Sequence, residues 1–234
     1  MATIPARSCD RTDPARLGSA AMASPTSEYA RYMQTDLLCS LRRPADRLAH
    51  RDEALFRTVH QVHELWLMHA SAEAATAATC LTAGGLDDAR DLLSRVGRVV
   101  GLLTGGLDLL TTIAPNDFAV IRTALGNGSG VDSPGWRALH EATRELRTAL
   151  RPVLASGGVA DPAAIRLVQT LLDLDSQVSF WRHHHHLLAA RLVGASGVGT
   201  QGMPVEALGA LTRRRLFPEL WLAGLATVAP GGRG

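Results

Sequence analysis

Nine histidines stand in the 234-residue chain, and four of them, His183 to His186, are consecutive. Successive residues of a helix are about 100° apart, so the four fan around the axis and only one or two can face the interior. They cannot all ligate one metal. A purification tag would sit at a terminus, not inside the amphipathic pattern WRHHHHLLAARLVG. Taken singly, each of the four reads as a surface residue. His60, His63 and His69 share an earlier helix, with His60 and His63 one turn apart. The segment HQVHE lacks the HExxH spacing of zinc hydrolases, and an isolated His60 is more often a core histidine than a base. Cys9, Cys39 and Cys80 are far apart, with no metal or redox spacing.

The elements that must position these histidines are helical. Hydrophobic residues make up 46% of the chain and aromatics 4%, so the core must be built mainly from Leu, Val and Ala, which favours packed helices over sheets. YARYMQTDLLCSL carries apolar residues at 29, 33, 37 and 41, which predicts one short helix. After a polar connection with Pro44, Asp52 and Glu53 favour the start of a long buried helix reaching Leu81. The Ala-Gly-Gly break at 83–85 precedes a helix running towards Ile113, with Gly105-Gly106 as a candidate kink. Pro115 ends it, and NDFAVIRTAL follows with Asn116 as its expected cap. Further helices are predicted over Trp136–Leu154, over Ala163–Val193 and from Val205. Two glycine-rich segments, GNGSGVDSPG and GASGVGTQGMP, interrupt them. The reading is all-α, one domain over 28–225, with disordered tails over 1–27 and 226–234.

All 24 basic residues are arginine, and the net charge is +2. GC-rich codon usage explains the missing lysines more simply than phosphate binding. The arginines are interleaved with acids, so no nucleic-acid stripe is visible. The N-terminal stretch lacks a secretory h-region, and apolar runs are too short to span a bilayer, so a cytoplasmic protein without a membrane partner is expected.

Six segments, from YARYMQTDLLCSL through HRDEALFRTVHQVHELWLMH, LLTTIAPNDFAVIRTALGNGSGVDSPGWR, WRHHHHLLAARLVG and GVGTQG to LFPELW, together resemble the tryptophan 2,3-dioxygenase superfamily in order and most spacing. The resemblance covers about Tyr29 to Trp221. It implies an all-α helical bundle enclosing a b-type haem, with O2 and an aromatic amino acid, tryptophan-like, as reactants. It makes His185 the iron ligand, four residues after Trp181, leaving a sixth position for O2. His60 matches the distal histidine that meets the indole N–H. Phe56 matches an apolar wall of the pocket, and Phe118 packs on the substrate ring. Arg122 matches the arginine that clamps the substrate carboxylate through a bidentate pair.

Ser129 and Gly130 match the loop that approaches the haem edge, and Thr200 matches the threonine that holds the substrate ammonium and a haem propionate. Here the chain reads GVGTQGM in place of the family's longer Gly-Thr-Gly-Gly-Ser run. Tyr29, Tyr32 and Met33 match positions that close a neighbouring subunit's pocket, implying a homo-oligomer, dimer or tetramer. Only 54 residues separate Gly130 from His185, fewer than in the catabolic dioxygenases. That compactness resembles natural-product members, some of which hydroxylate tyrosine or convert methyltryptophan to an oxindole. The expected activity is oxygen insertion into the indole of L-tryptophan or a close derivative, by a dioxygenase or oxindole-forming route, in secondary metabolism. The alternatives are a haem-dependent tyrosine hydroxylase, a non-catalytic haem sensor, and a helical interaction protein without haem. A gas sensor needs no carboxylate clamp, which argues against that reading.

Overall fold

The structure, a computed structural model, describes residues 27–155 and 161–222. The expected tails lie outside them, apart from Ser27. Nine α-helices are described: α1 (Glu28–Met33), α2 (Thr35–Ser40), α3 (Glu53–Thr82), α4 (Leu86–Leu110), α5 (Pro115–Leu125), α6 (Pro134–Ala155), α7 (Pro162–Val193), α8 (Val205–Leu211) and α9 (Pro218–Leu222). Among the described residues there is no strand, only one isolated antiparallel bridge between Val198 and Pro204. The fold is all-α, as composition and periodicity predict.

Four long helices build the core. α3 packs against α6 and α4, and α4 packs against α7. Each carries a buried stripe at spacings of three and four. On α6 it is Leu139, Ala142, Leu146 and Leu150, and on α4 Leu93, Val96, Val100, Leu103 and Leu107. Alanines at 70, 74, 77 and 78 face inward on α3, which lets neighbouring backbones approach closely.

Contact between α6 and α7 is sparse, and the segment after α8 fills that side. Phe217 is fully buried, with Leu216 and Leu220 beside it in the main core. The fastening is polar. Asp175 on α7, with no exposure at all, accepts from the amides of Leu216 (2.9 Å) and Phe217 (3.3 Å) and from Trp221 Nε1 (2.8 Å). Arg147 on α6 grips Glu219 through two bonds of 2.8 Å. Removing the carboxylate would strand three donors, each worth about 1–3 kcal/mol when buried without a partner. Asp175→Ala is therefore expected to lower unfolding free energy by at least about 3 kcal/mol in a denaturant titration. A change below about 1 kcal/mol would contradict this account of the closure.

Three sequence expectations are corrected. The helix over Tyr29–Leu41 is two helices, because Gln34 turns into the left-handed region at φ 54° and caps α1. The regular apolar spacing continues through that break, so periodicity does not reveal it. Asn116 does not cap α5: the helix starts at Pro115, a residue suited to the first helical position, after extended Ala114. Gly105-Gly106 do not interrupt α4, which continues through both to Leu110. No single helix among the described residues is long and apolar enough to cross a membrane.

Candidate active site

Above the main core the stripe on α7 changes character. Val178, Leu188 and Leu192 are buried, and the positions that continue this series between them, at steps of three and four, are Trp181 and His185. Helix geometry thus selects one member of the histidine run. His183 and His184 are exposed, and His184 Nδ1 lies 3.3 Å from the carbonyl of Phe180 on its own helix. His186 turns towards Gly209 of α8. His185 stacks on Trp181 with ring centroids 5.2 Å apart and planes 5° from parallel. Burial, followed by the neighbouring His60 and His186, pushes its pKa down to about 4. It is a neutral imidazole.

α3 supplies the facing surface. Phe56, His60 and His63 follow one another along one side of the helix, with centroids 4.2 Å apart for Phe56–His60 and 6.3 Å for His60–His63. The carbonyl of Phe56 takes the Nδ1 of His60 at 2.7 Å. A carbonyl can only accept, so Nδ1 carries the proton and Nε2 is left as a bare lone pair. His60 is open to solvent at its edge, yet surrounding protein lowers its pKa, chiefly through desolvation. Solvent contact together with dense surroundings marks a residue lining a concavity. Phe118 of α5 lies 5.8 Å from Phe56. Both rest on a second apolar cluster that includes Val59, Leu107, Ile121 and Leu188.

Arg122, one turn after Phe118, donates from Nη2 to the carbonyl of Val198 at 2.5 Å. That bond is one of several tying the glycine-rich segments together. Thr200 Oγ1 donates to the carbonyl of Gly128 at 2.6 Å, and Gln201 Nε2 to Asp132 Oδ2 at 2.6 Å. Asp132 in turn forms a capping box with Ser129, which sits half-buried at the start of a short 3-10 turn, Gly130–Asp132. Gly130 is exposed, and a Cβ there would meet no protein atom. Tyr29, Tyr32 and Met33 are 69%, 87% and 49% exposed on α1 and do not reach the other site residues within one chain.

Two residues that the sequence reading did not place emerge here. Glu64 of HQVHE accepts from Ser133 Oγ (2.5 Å) and the amide of Gly135 (2.8 Å), anchoring the start of α6. That fixes Trp136, whose ring lies 4.3 Å from Trp181, the platform of His185. The second is His63, which is 92% buried by its 8% exposure. Its Nε2 has no hydrogen-bond partner, and a Cβ on Gly106 would collide with that atom. The glycine that suggested a kink therefore makes room for a ring.

Desolvation, then His60 and His185, lowers the pKa of His63 to about 4 from 6.5. The folded protein thus binds fewer protons here than the unfolded chain. The associated stability is complete above pH 6.5 and is lost as pH falls towards 4, at up to about 1.4 kcal/mol per pH unit. Denaturant titrations between pH 4.5 and 7.5 are expected to show a shallower pH slope for His63→Gln than for the parent. Identical slopes would contradict the assignment.

His50, Asp52 and Asp117 also bring ligand-type atoms within 4.8 Å of one another. The amide of Asp52 already donates to His50 Nδ1 (3.2 Å), and Nε2 lies 3.7 Å from Asp117. The trio joins the starts of α3 and α5 without need of an ion. A groove of about 570 Å³ between α3 and α6, lined by Ala75, Thr79, Thr148 and Pro152 among others, lies towards the far end of α3 from the histidines.

Comparison with known proteins assigns the chemistry: the chain is an all-α oxidoreductase, a haem-dependent oxygenase of aromatic amino acids. It belongs to the tryptophan 2,3-dioxygenase family, whose profile matches residues 15–150. A protein of Caulobacter vibrioides named tryptophan 2,3-dioxygenase is 30% identical over 256 aligned positions, taking in 82% of this chain and 95% of that protein. Proteins of the same name from Erythrobacter litoralis and Ruegeria pomeroyi are each 29% identical, covering 82% and 89% of this chain and 95% and 96% of their own lengths. The Caulobacter alignment is longer than the part of this chain it uses, so some of the relative's residues have no counterpart here.

Proposed function

We propose that residues 28–225 form one cytoplasmic haem oxygenase domain that inserts oxygen from O2 into the indole ring of L-tryptophan or a close derivative, in secondary metabolism. The observation that carries this reading is the pairing of two neutral imidazoles, His185 on α7 and His60 on α3, beneath loops tied to Arg122. The shorter stretch that this chain contributes to its alignment with the Caulobacter protein supports a compact, specialised member.

The residues fit an iron porphyrin. His185 offers an unprotonated nitrogen at neutral pH, the form that ligates iron, and its surroundings include the apolar Leu188 and Leu192. Ser129 and Gly130 are the loop residues assigned to the haem edge. When bound, haem iron supplies the O2-binding position and the oxygen-transfer chemistry.

The chain's own residues bind and orient the amino acid. His60 Nε2, its proton fixed on the other nitrogen, accepts from the indole N–H and holds the ring in register. Phe56 and Phe118 wall the ring against water. Arg122 spends one N–H on Val198 and keeps donors for a bidentate carboxylate pair. Thr200 uses its proton on Gly128, so its oxygen lone pairs remain for the substrate ammonium. Tyr29, Tyr32 and Met33, exposed on their own chain, close the pocket of a second copy in a dimer or tetramer.

The test is to supply reduced, haem-loaded protein with tryptophan, methyltryptophan or tyrosine under isotopically labelled O2, and to count incorporated oxygen atoms by mass. Two atoms in a ring-opened tryptophan product define the dioxygenase route, and one atom in an oxindole defines the monooxygenase route. Turnover of tyrosine alone, or no substrate-dependent O2 uptake, would overturn the proposal.

A further inference from the structure

The two imidazoles of the site are held by different means. His60 is fixed on α3 by the bond from its Nδ1 to the carbonyl of Phe56. His185 has no hydrogen-bond partner among the described residues. What holds its ring is Trp181, one turn earlier on α7, stacked on it with planes 5° from parallel. Offset stacks of this kind are favoured between aromatic rings, so the plane of the indole sets the plane of the imidazole. Trp181 is itself held by packing alone. Its Nε1 is buried and meets no acceptor among the described residues, and an unpaired buried donor is unfavourable. The indole therefore contributes through its area and shape. It lies against both apolar clusters and against the Trp136 ring, 4.3 Å away and tilted by 46°.

The place of Trp136 traces back to the helix that carries His60. Glu64, one turn beyond His60 on α3, accepts from Ser133 Oγ and from the amide of Gly135. Ser133 Oγ in turn accepts from the amide of Trp136 at 3.1 Å. The crossing has no slack at Gly135, where a Cβ would stand 2.6 Å from the Cβ of Leu67 and 2.8 Å from Glu64 Oε2. The first turn of α6 is thereby locked to α3, and Trp136 with it. An unbroken set of contacts runs from Glu64 through Trp136 and Trp181 to His185. One helix thus places His60 directly and constrains His185 through two indoles.

We propose that Trp181 is a positioning residue that sets the plane of the iron-binding His185 ring, and that Glu64 acts on that plane through Trp136. The inference rests on the reading of His185 as the iron ligand. Groups around a metal-binding imidazole fix its orientation and basicity, and with them the affinity and redox potential of the iron. A carboxylate or backbone carbonyl commonly does this by accepting from the second ring nitrogen. Here the chain supplies an aromatic stack in place of such an acceptor.

Resonance Raman spectra of the ferrous, haem-loaded protein test it, because the iron–histidine stretching band reports the setting of the ligating ring without turnover. The band is expected to move away from the parent position in Trp181→Phe, whose smaller ring covers less of the imidazole, and further in Trp181→Leu. Haem affinity of the leucine variant should fall about 10–100-fold. Trp136→Ala should move the band in the same direction, as should Glu64→Gln, which can no longer accept both bonds. Phe180→Leu, at a 64% exposed position on the same helix, should leave it in place. An unchanged band in Trp181→Phe overturns the role of Trp181, and that variant decides the matter if Trp181→Leu fails to fold. An unchanged band in both Trp136→Ala and Glu64→Gln overturns the link to α3. A band that survives His185→Ala overturns the ligand reading and this inference with it. If His185→Ala loses the band while the Trp181 variants match the parent, only the positioning role fails.

Discussion

Replacing His185 by alanine is expected to yield a folded protein that no longer acquires a Soret band when haem is added, with oxygenase activity lost alongside. His185 continues the inward series of α7 between Val178 and Leu188, whereas His183 and His184 point to solvent. Loss of groups that merely support a metal ligand already costs 10–100-fold in affinity or activity, so loss of the ligand itself should exceed about 100-fold. His184→Ala should bind haem normally. If His184→Ala removes the band and His185→Ala keeps it, the register of α7 assigned here is wrong.

Arg122→Ala should separate substrate binding from haem binding. A charge-assisted pair contributes about 1.5–3 kcal/mol, which corresponds to a rise in KM of roughly 10–150-fold for the amino acid, with haem content unchanged. Lysine at this position keeps the charge but loses the planar fork, so Arg122→Lys should recover only part of the loss. The carboxylate clamp also predicts that the corresponding amine, without the carboxylate, will be a poor substrate. Unchanged KM in Arg122→Ala, measured by initial rates, would remove the clamp from the mechanism.

What could be read from sequence follows physical range. The long helices α3, α4, α6 and α7 announce themselves because the 3.6-residue period repeats over many turns. The same period, anchored on Val178 and Leu188, supports His185 over its neighbours once burial is known. The break at Gln34 was hidden because the apolar spacing runs unbroken across it while one residue takes a positive φ. Asn116 was a sound cap by type, but Pro115 occupies the first turn.

Contacts distant along the chain leave no local signature. Glu64 reaching Gly135, Asp175 reaching Trp221 and Gly106 opposing His63 each join separate helices.

The side of the bundle sealed by Leu216, Phe217 and Leu220 has a consequence for biosynthesis. A helical domain made from its N-terminus can collapse α3, α4 and α6 early, but the wall between α6 and α7 waits for residues that leave the ribosome some thirty positions after His185. Until then leucines of both helices face water, so a nascent chain stalled before Leu216 should be a target for chaperones and proteases.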